Sequence, residues 1–132
     1  MISQLIQLKG LRKNYGSFEA LKGIDLNLQP GEVLGFIGPN GAGKTTTIRI
    51  LLGMLKYTGT AKIFGLDCWK DAVEIHKNLS YVPGEVNLWP NLTGGEVIDF
   101  FLRLRDQKDN RYRDELIEKF DLDPAKKMQK LL

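Results

Sequence analysis

Gly38-Pro39-Asn40-Gly41-Ala42-Gly43-Lys44-Thr45-Thr46 is the stretch on which the reading of this 132-residue chain turns. It fits G-x-x-x-x-G-K-[ST], the pattern of a loop that wraps nucleotide phosphates. Its flanks agree. Val33-Leu34-Gly35-Phe36-Ile37 reads as a buried strand entering the loop, and Thr45–Leu55 as a helix leaving it, with Ile48, Leu51, Leu52 and Leu55 at helical spacing. Glycines at 38, 41 and 43 let the backbone curl so that successive N–H groups point inward. The helix start adds unsatisfied N–H groups and the positive end of its dipole. Lys44 is placed to reach the β- and γ-phosphates, Thr45 to ligate Mg2+ through its hydroxyl, and Thr46 to bond the α-phosphate. The competing reading is a glycine-rich strand–helix turn with a solvated lysine.

Outward from the loop, the chain divides into short elements. Leu5–Tyr15 alternates partly and ends in the turn signal Asn14-Tyr15-Gly16-Ser17. Phe18–Leu21 and Ile24–Leu28 read as two further strands separated by Gly23, and Gln29-Pro30-Gly31 as a turn. Such closely spaced strands predict an antiparallel sheet beside the loop core. After the first helix, Lys56-Tyr57-Thr58-Gly59 is a stop signal. Thr60–Phe64 reads as a strand, Asp71–Lys77 as a helix and Leu79–Val82 as another core strand, broken at Pro83-Gly84. Thr93-Gly94-Gly95-Glu96 fits a capping box opening a helix that runs to about Arg105. A second helix spans about Asn110–Phe120, with Tyr112, Leu116 and Phe120 on one face, expected to face the core. Asp121-Leu122-Asp123-Pro124 ends it and starts a last helix.

Composition bounds the answer. With 42% hydrophobic and 27% charged residues, the chain is ordinary for a soluble globular protein of one compact domain. The formal net charge is only +3. Arg103/Arg105 and Arg111/Arg113 read as solvated helix faces, so no nucleic-acid partner is expected. Cys68 is the single cysteine, which excludes an internal disulfide and suits a reducing cytosol. No run approaches the roughly twenty apolar residues of a membrane helix, so membrane association is expected only through a partner.

These residues together resemble the ATP-binding subunit of ABC (ATP-binding cassette) transporters. The loop in the form G-P-N-G-A-G-K-T-T is similar to that family's version. Leu11-Arg12-Lys13-Asn14-Tyr15-Gly16 matches the segment whose aromatic stacks on adenine in the family, and Ile24-Asp25-Leu26 with Pro30-Gly31-Glu32 the run leading into the loop. Tyr81-Val82-Pro83 and Leu88-Trp89-Pro90-Asn91-Leu92-Thr93 match the stretch before the helical subdomain. The resemblance implies an α/β P-loop NTPase fold of the ABC ATPase type, here a fragment. Residues 1–31 would be an antiparallel β region, 32–83 the phosphate-loop core with a partial parallel sheet, and 84–132 the middle loop and the start of the helical subdomain. It implies ATP and Mg2+ as cofactors, transmembrane permease subunits and a second ATP-binding subunit as partners, and a place on the cytoplasmic face of the membrane. For Tyr15 it implies adenine stacking, against a turn tyrosine packed on the surface.

Two departures qualify the resemblance. Where most of the family carries a glutamine, this chain reads Pro83-Gly84-Glu85, as in a branch of drug- and antibiotic-export ATPases. Glu85 is therefore either an oxygen donor to the metal or part of an altered joint to the helical subdomain. The 132 residues also lack the L-S-G-G-Q signature, the aspartate-bearing strand, the general-base glutamate and the switch histidine. Leu92-Thr93-Gly94-Gly95-Glu96 is a capping box rather than that signature, and His76 reads as a surface or packing residue. The parent is thus expected to be an exporting transport ATPase, while this chain is expected to bind nucleotide at most and not to hydrolyse it. It is expected to be marginally stable, gaining from self-association or from nucleotide or anion binding. A soluble ABC ATPase acting on ribosomes or DNA, or a natural nucleotide-binding interaction module, are the other readings.

Overall fold

The computed structural model describes residues 4–84, 88–106 and 110–127. They divide into two compact units, Met1–Tyr81 and Val82–Leu132. The first is built on a four-stranded sheet: β1 (Ile6–Tyr15), β2 (Phe18–Leu28), β3 (Thr58–Ile63) and β4 (Leu66–Asp67), in the order β2-β1-β3-β4. Every pairing is antiparallel, as the close spacing of the early strands predicts. A two-residue turn at Gly16-Ser17 pairs Tyr15 with Phe18 across the tip of the first hairpin.

Gly23 does not separate two strands. It is taken up inside one continuous β2, where the register shifts between Arg12↔Lys22 and Leu11↔Ile24. A bulge absorbs one extra residue without ending the ladder. A second irregularity between Leu8 and Leu11 keeps both leucines buried, and there the Gly10 N–H donates to the Asp25 carboxylate at 2.6 Å.

Two helices belong to this unit, α1 (Lys44–Leu51) and α2 (Ala72–His76). α1 stops a turn before the predicted Leu55. Gly53, at φ +69°, takes the left-handed conformation that ends helices cheaply only in glycine. Its N–H donates to Ile50 O, and that of Met54 to Arg49 O. His76 is exposed, with Nε2 2.9 Å from Leu52 O at the end of α1, which makes it a surface tie between α2 and α1. The core packs Leu8, Leu11, Leu21, Ala61 and Ile63 of the sheet against Ile50 of α1, Ile75 of α2 and Cys68.

Cys68 reports on that core. It is fully buried, and burial pushes its thiol up to about 12, with the Asp67 carboxylate adding to the effect. The thiolate is the reactive form. Alkylation in the native chain should therefore be slower than in urea by about two orders of magnitude or more, because both access and ionisation are lost. Equal labelling rates would mean that the core of the first unit does not form.

Two predicted strands differ from expectation. The run at 33–37 joins no ladder, with Val33 99% and Ile37 95% exposed. The run at 79–82 is likewise not a strand, and Tyr81 and Val82 are exposed. A continuous apolar run is the mark of a parallel strand buried on both faces, and such a strand needs hydrogen-bonded neighbours to exist. The described residues contain only antiparallel pairs, so the partial parallel sheet expected over 32–83 is represented by its apolar sequence and not by a ladder.

The second unit holds α3 (Gly94–Leu104) and α4 (Arg111–Lys119). The capping box forms as predicted. Thr93 Oγ1 accepts from the Glu96 N–H at 3.2 Å, and the Glu96 carboxylate accepts from the Thr93 N–H at 2.7 Å. The bonds with Thr93 hold the Glu96 carboxyl below its ordinary range. Gly94 and Gly95 donate their N–H groups to Lys126 O and Pro124 O, so the turn after α4 returns to the start of α3. Residues 121–127 form turns and an isolated bridge to Thr93, and any last helix lies outside the described residues.

Arg113 is not a solvated surface residue. Its side chain is 19% exposed and bonds Asp99 of α3 at 2.6 Å and Asp114 at 2.7 Å. The expected core face of α4 is open instead: Tyr112 is 68% and Phe120 64% exposed. Helical spacing identifies an apolar stripe, but burial requires an element to cover it. Trp89, Phe100 and Phe101 are partly exposed and pack on one another edge-to-face or tilted, with Trp89 and Phe100 centroids 5.2 Å apart.

Candidate functional site

The loop at 38–46 lies in the first unit, between the exposed run at 33–37 and α1. Gly41 and Gly43 both take positive φ, +85° and +87°. Gly43 is the N-cap of α1, and no side chain caps it. A methyl group there would stand 2.5 Å from Leu21 Cδ2 and 3.0 Å from Ala20 O. The loop is thus held against β2 by a contact only glycine permits. Just beyond it, the N–H and hydroxyl of Thr47 both donate to Gly43 O, at 2.9 and 3.0 Å, with Thr47 buried. The sequence reading passed over Thr47. Its place one turn into the helix is the signal that finds it.

The N–H groups of Lys44, Thr45 and Thr46 precede that first intrahelical bond and are therefore open to a ligand. No acidic residue stands in the first turn. Donors and dipole at this end carry partial positive charge, which suits an anion. Lys44 curls back over the loop, its ammonium donating to Gly38 O and to Pro39 O at 2.7 Å. An ammonium has three donors, so these two bonds fix its position and leave one for a phosphate oxygen. Thr45 is exposed beside it. It offers one of the six oxygens Mg2+ takes, and phosphates and water supply the rest in sites of this kind. The residues present therefore fit a polyphosphate with Mg2+: a concave backbone, a capless helix start, a lysine held over it and an accessible hydroxyl.

Among the other predicted residues, Pro39, Asn40, Gly41 and Ala42 are exposed, and Gly38 and Thr46 are half-buried. The Ala42 N–H closes a turn onto Pro39 O at 3.2 Å. Tyr15 sits at the hairpin tip, 45% exposed, with the Lys13 ammonium 5.3 Å from its ring centroid. A hollow of about 440 Å3 lies between β2 and the loop, lined by Phe18, Ala20, Leu21, Ile24, Gly41 and Ala42 among others. Phe18, at the start of β2, and the loop thus border the same space, and Tyr15 does not line it. Glu85 lies outside the described residues. Among the described residues no cluster of His, Cys, Asp or Glu is arranged to hold a metal by itself. None of their helices is long and apolar enough to cross a membrane.

Comparisons with known proteins agree with this geometry. Residues 21–131 match the ABC transporter family model. The chain is 37% identical over 128 residues to the daunorubicin/doxorubicin resistance ATP-binding protein of Streptomyces peucetius, covering 94% of this chain and 39% of that protein. It is 40% identical over 96 residues to the bacitracin transport ATP-binding protein of Bacillus licheniformis, covering 72% of this chain and 31% of that one. A solved ATP-binding subunit of an ABC transporter superposes with a TM-score of 0.80 over 93% of this chain and 54% of its own, at 24% identity, which bears on the fold alone. The chain spans 31% and 39% of these two relatives and about half of the solved subunit. With the loop, the open helix start and the antiparallel sheet in place, it belongs to the ABC transporter family, within the ATP-binding domain of that family.

Proposed function

We propose that Gly38–Thr46 binds the polyphosphate of ATP or ADP with Mg2+ at Thr45, and that Tyr15 stacks on the adenine. We propose further that the parent protein is a transport ATPase of the export branch. In this reading it sits on the cytoplasmic face of the membrane through permease subunits and pairs with a second ATP-binding subunit. The observation that carries the reading is the uncapped start of α1 with the Lys44 ammonium held on Gly38 O and Pro39 O. Support for export comes from Pro83-Gly84-Glu85 and from the drug and antibiotic relatives.

Each residue then has a task in binding. The loop N–H groups orient the phosphates, Lys44 meets the charge at their outer end, and Thr45 holds the metal that ATP brings. When bound, Mg2+ neutralises charge on the phosphate oxygens. Activating a water for hydrolysis requires a positioned base, and no residue of this chain reads as one. The chain is therefore proposed to bind nucleotide without turning it over.

Tyr15→Ala should weaken ATP binding about tenfold or more, the worth of roughly 1.4 kcal/mol of base stacking. Titration of ATP into wild type and variant checks this, and an unchanged affinity would return Tyr15 to the surface.

A further inference from the structure

The ring that borders the hollow beside the loop is Phe18. It stands at the start of β2, 63% exposed, in a space that Gly41 and Ala42 of the loop also line. Tyr15, its pairing partner across the turn, is not among the residues lining this hollow, and the Lys13 ammonium covers one face of its ring. The rest of the wall is mixed, with apolar Ala20, Leu21 and Ile24 beside the charged Glu19 and Lys22. At about 440 Å3 the hollow falls within the roughly 300–1,000 Å3 of small-molecule clefts. An exposed aromatic on an otherwise ordinary hairpin tip gains nothing from water, whereas the flat face of a purine would cover it.

From these placements we infer that Phe18 is a second aromatic contact for the nucleoside, holding the base from the β2 side of the hollow while the loop holds the phosphates. The inference rests on the nucleotide reading of the loop and adds a base-binding residue to it. Phe18 is exposed and not one of the residues of the core cluster, so it is replaceable without loss of the fold, which Cys68 protection verifies in each variant.

The test compares ATP with inorganic tripolyphosphate, which keeps the charge and lacks the base. Phe18→Ala should lower ATP affinity about five- to tenfold and leave tripolyphosphate affinity unchanged, and Phe18→Trp should keep ATP affinity near wild type. Unchanged ATP binding in Phe18→Ala would overturn the contact. Equal weakening of ATP and tripolyphosphate would also overturn it, because the residue would then act on the loop and not on the base. If wild type binds neither ligand, the phosphate-loop reading itself fails, and the inference falls with it. A wild type that binds tripolyphosphate and ATP while Phe18→Ala is neutral leaves the loop reading standing.

Discussion

Gly43→Ala is expected to destabilise the first unit by about 2–5 kcal/mol and to abolish nucleotide binding. Two costs add. An alanine held in the left-handed region loses roughly 1–2 kcal/mol, and overpacking a closed contact costs about 1–3 kcal/mol more. Both apply here, since φ is +87° and the new methyl would meet Leu21 Cδ2 at 2.5 Å and Ala20 O at 3.0 Å. Leu21 is a fully buried core residue and Ala20 O is backbone, so neither gives way easily. Relief would come by lifting the loop away from β2, which also displaces the N–H groups at the start of α1. Urea denaturation followed by Cys68 labelling reads the stability, and ATP titration reads the site. A variant with wild-type stability would show that the loop does not rest on β2.

Lys44→Ala separates binding from folding. The lysine is half-buried and its two bonds go to backbone carbonyls of the loop, so its removal should move the denaturation midpoint little. It should weaken ATP and ADP binding about ten- to a hundredfold, because a hydrogen bond to a charged group is worth about 1.5–3 kcal/mol. Lys44→Arg is expected to recover little, since the guanidinium cannot reproduce a compact ammonium bonded to two adjacent carbonyls. Wild-type affinity in Lys44→Ala would remove the central residue of the site.

How much was legible beforehand follows from how local each feature is. The glycine loop, the Thr93–Glu96 capping box and the Tyr15–Phe18 hairpin are set within a few residues, by positive φ, reciprocal hydrogen bonds and a two-residue turn. All three could be read directly. The end of α1 was missed although its signal, Gly53, is local: the apolar period runs on to Leu55, while the left-handed glycine stops the helix first. Gly23 looked like a break because a bulge is visible only in the partner strand's register.

The larger miss is not local at all. Val33–Ile37 has the composition of a buried parallel strand, yet burial is a property of what lies on either side. The same holds for Tyr112 and Phe120 on α4, whose spacing marks a face without saying what covers it. In the site, the loop residues were all named from sequence. Phe18 was not, because its closeness to Gly41 and Ala42 depends on how β2 packs against the loop.

The central proposal is that this chain, a member of the ABC transporter family, binds ATP at the phosphate loop without hydrolysing it. The measurement that tests it most directly is calorimetric titration of ATP into the wild-type chain with and without Mg2+, with released phosphate assayed in the same samples. Saturable one-site binding that tightens with Mg2+, is displaced by ADP and releases no phosphate is the predicted result. No binding at millimolar ATP, or steady phosphate release from the chain alone, would contradict it.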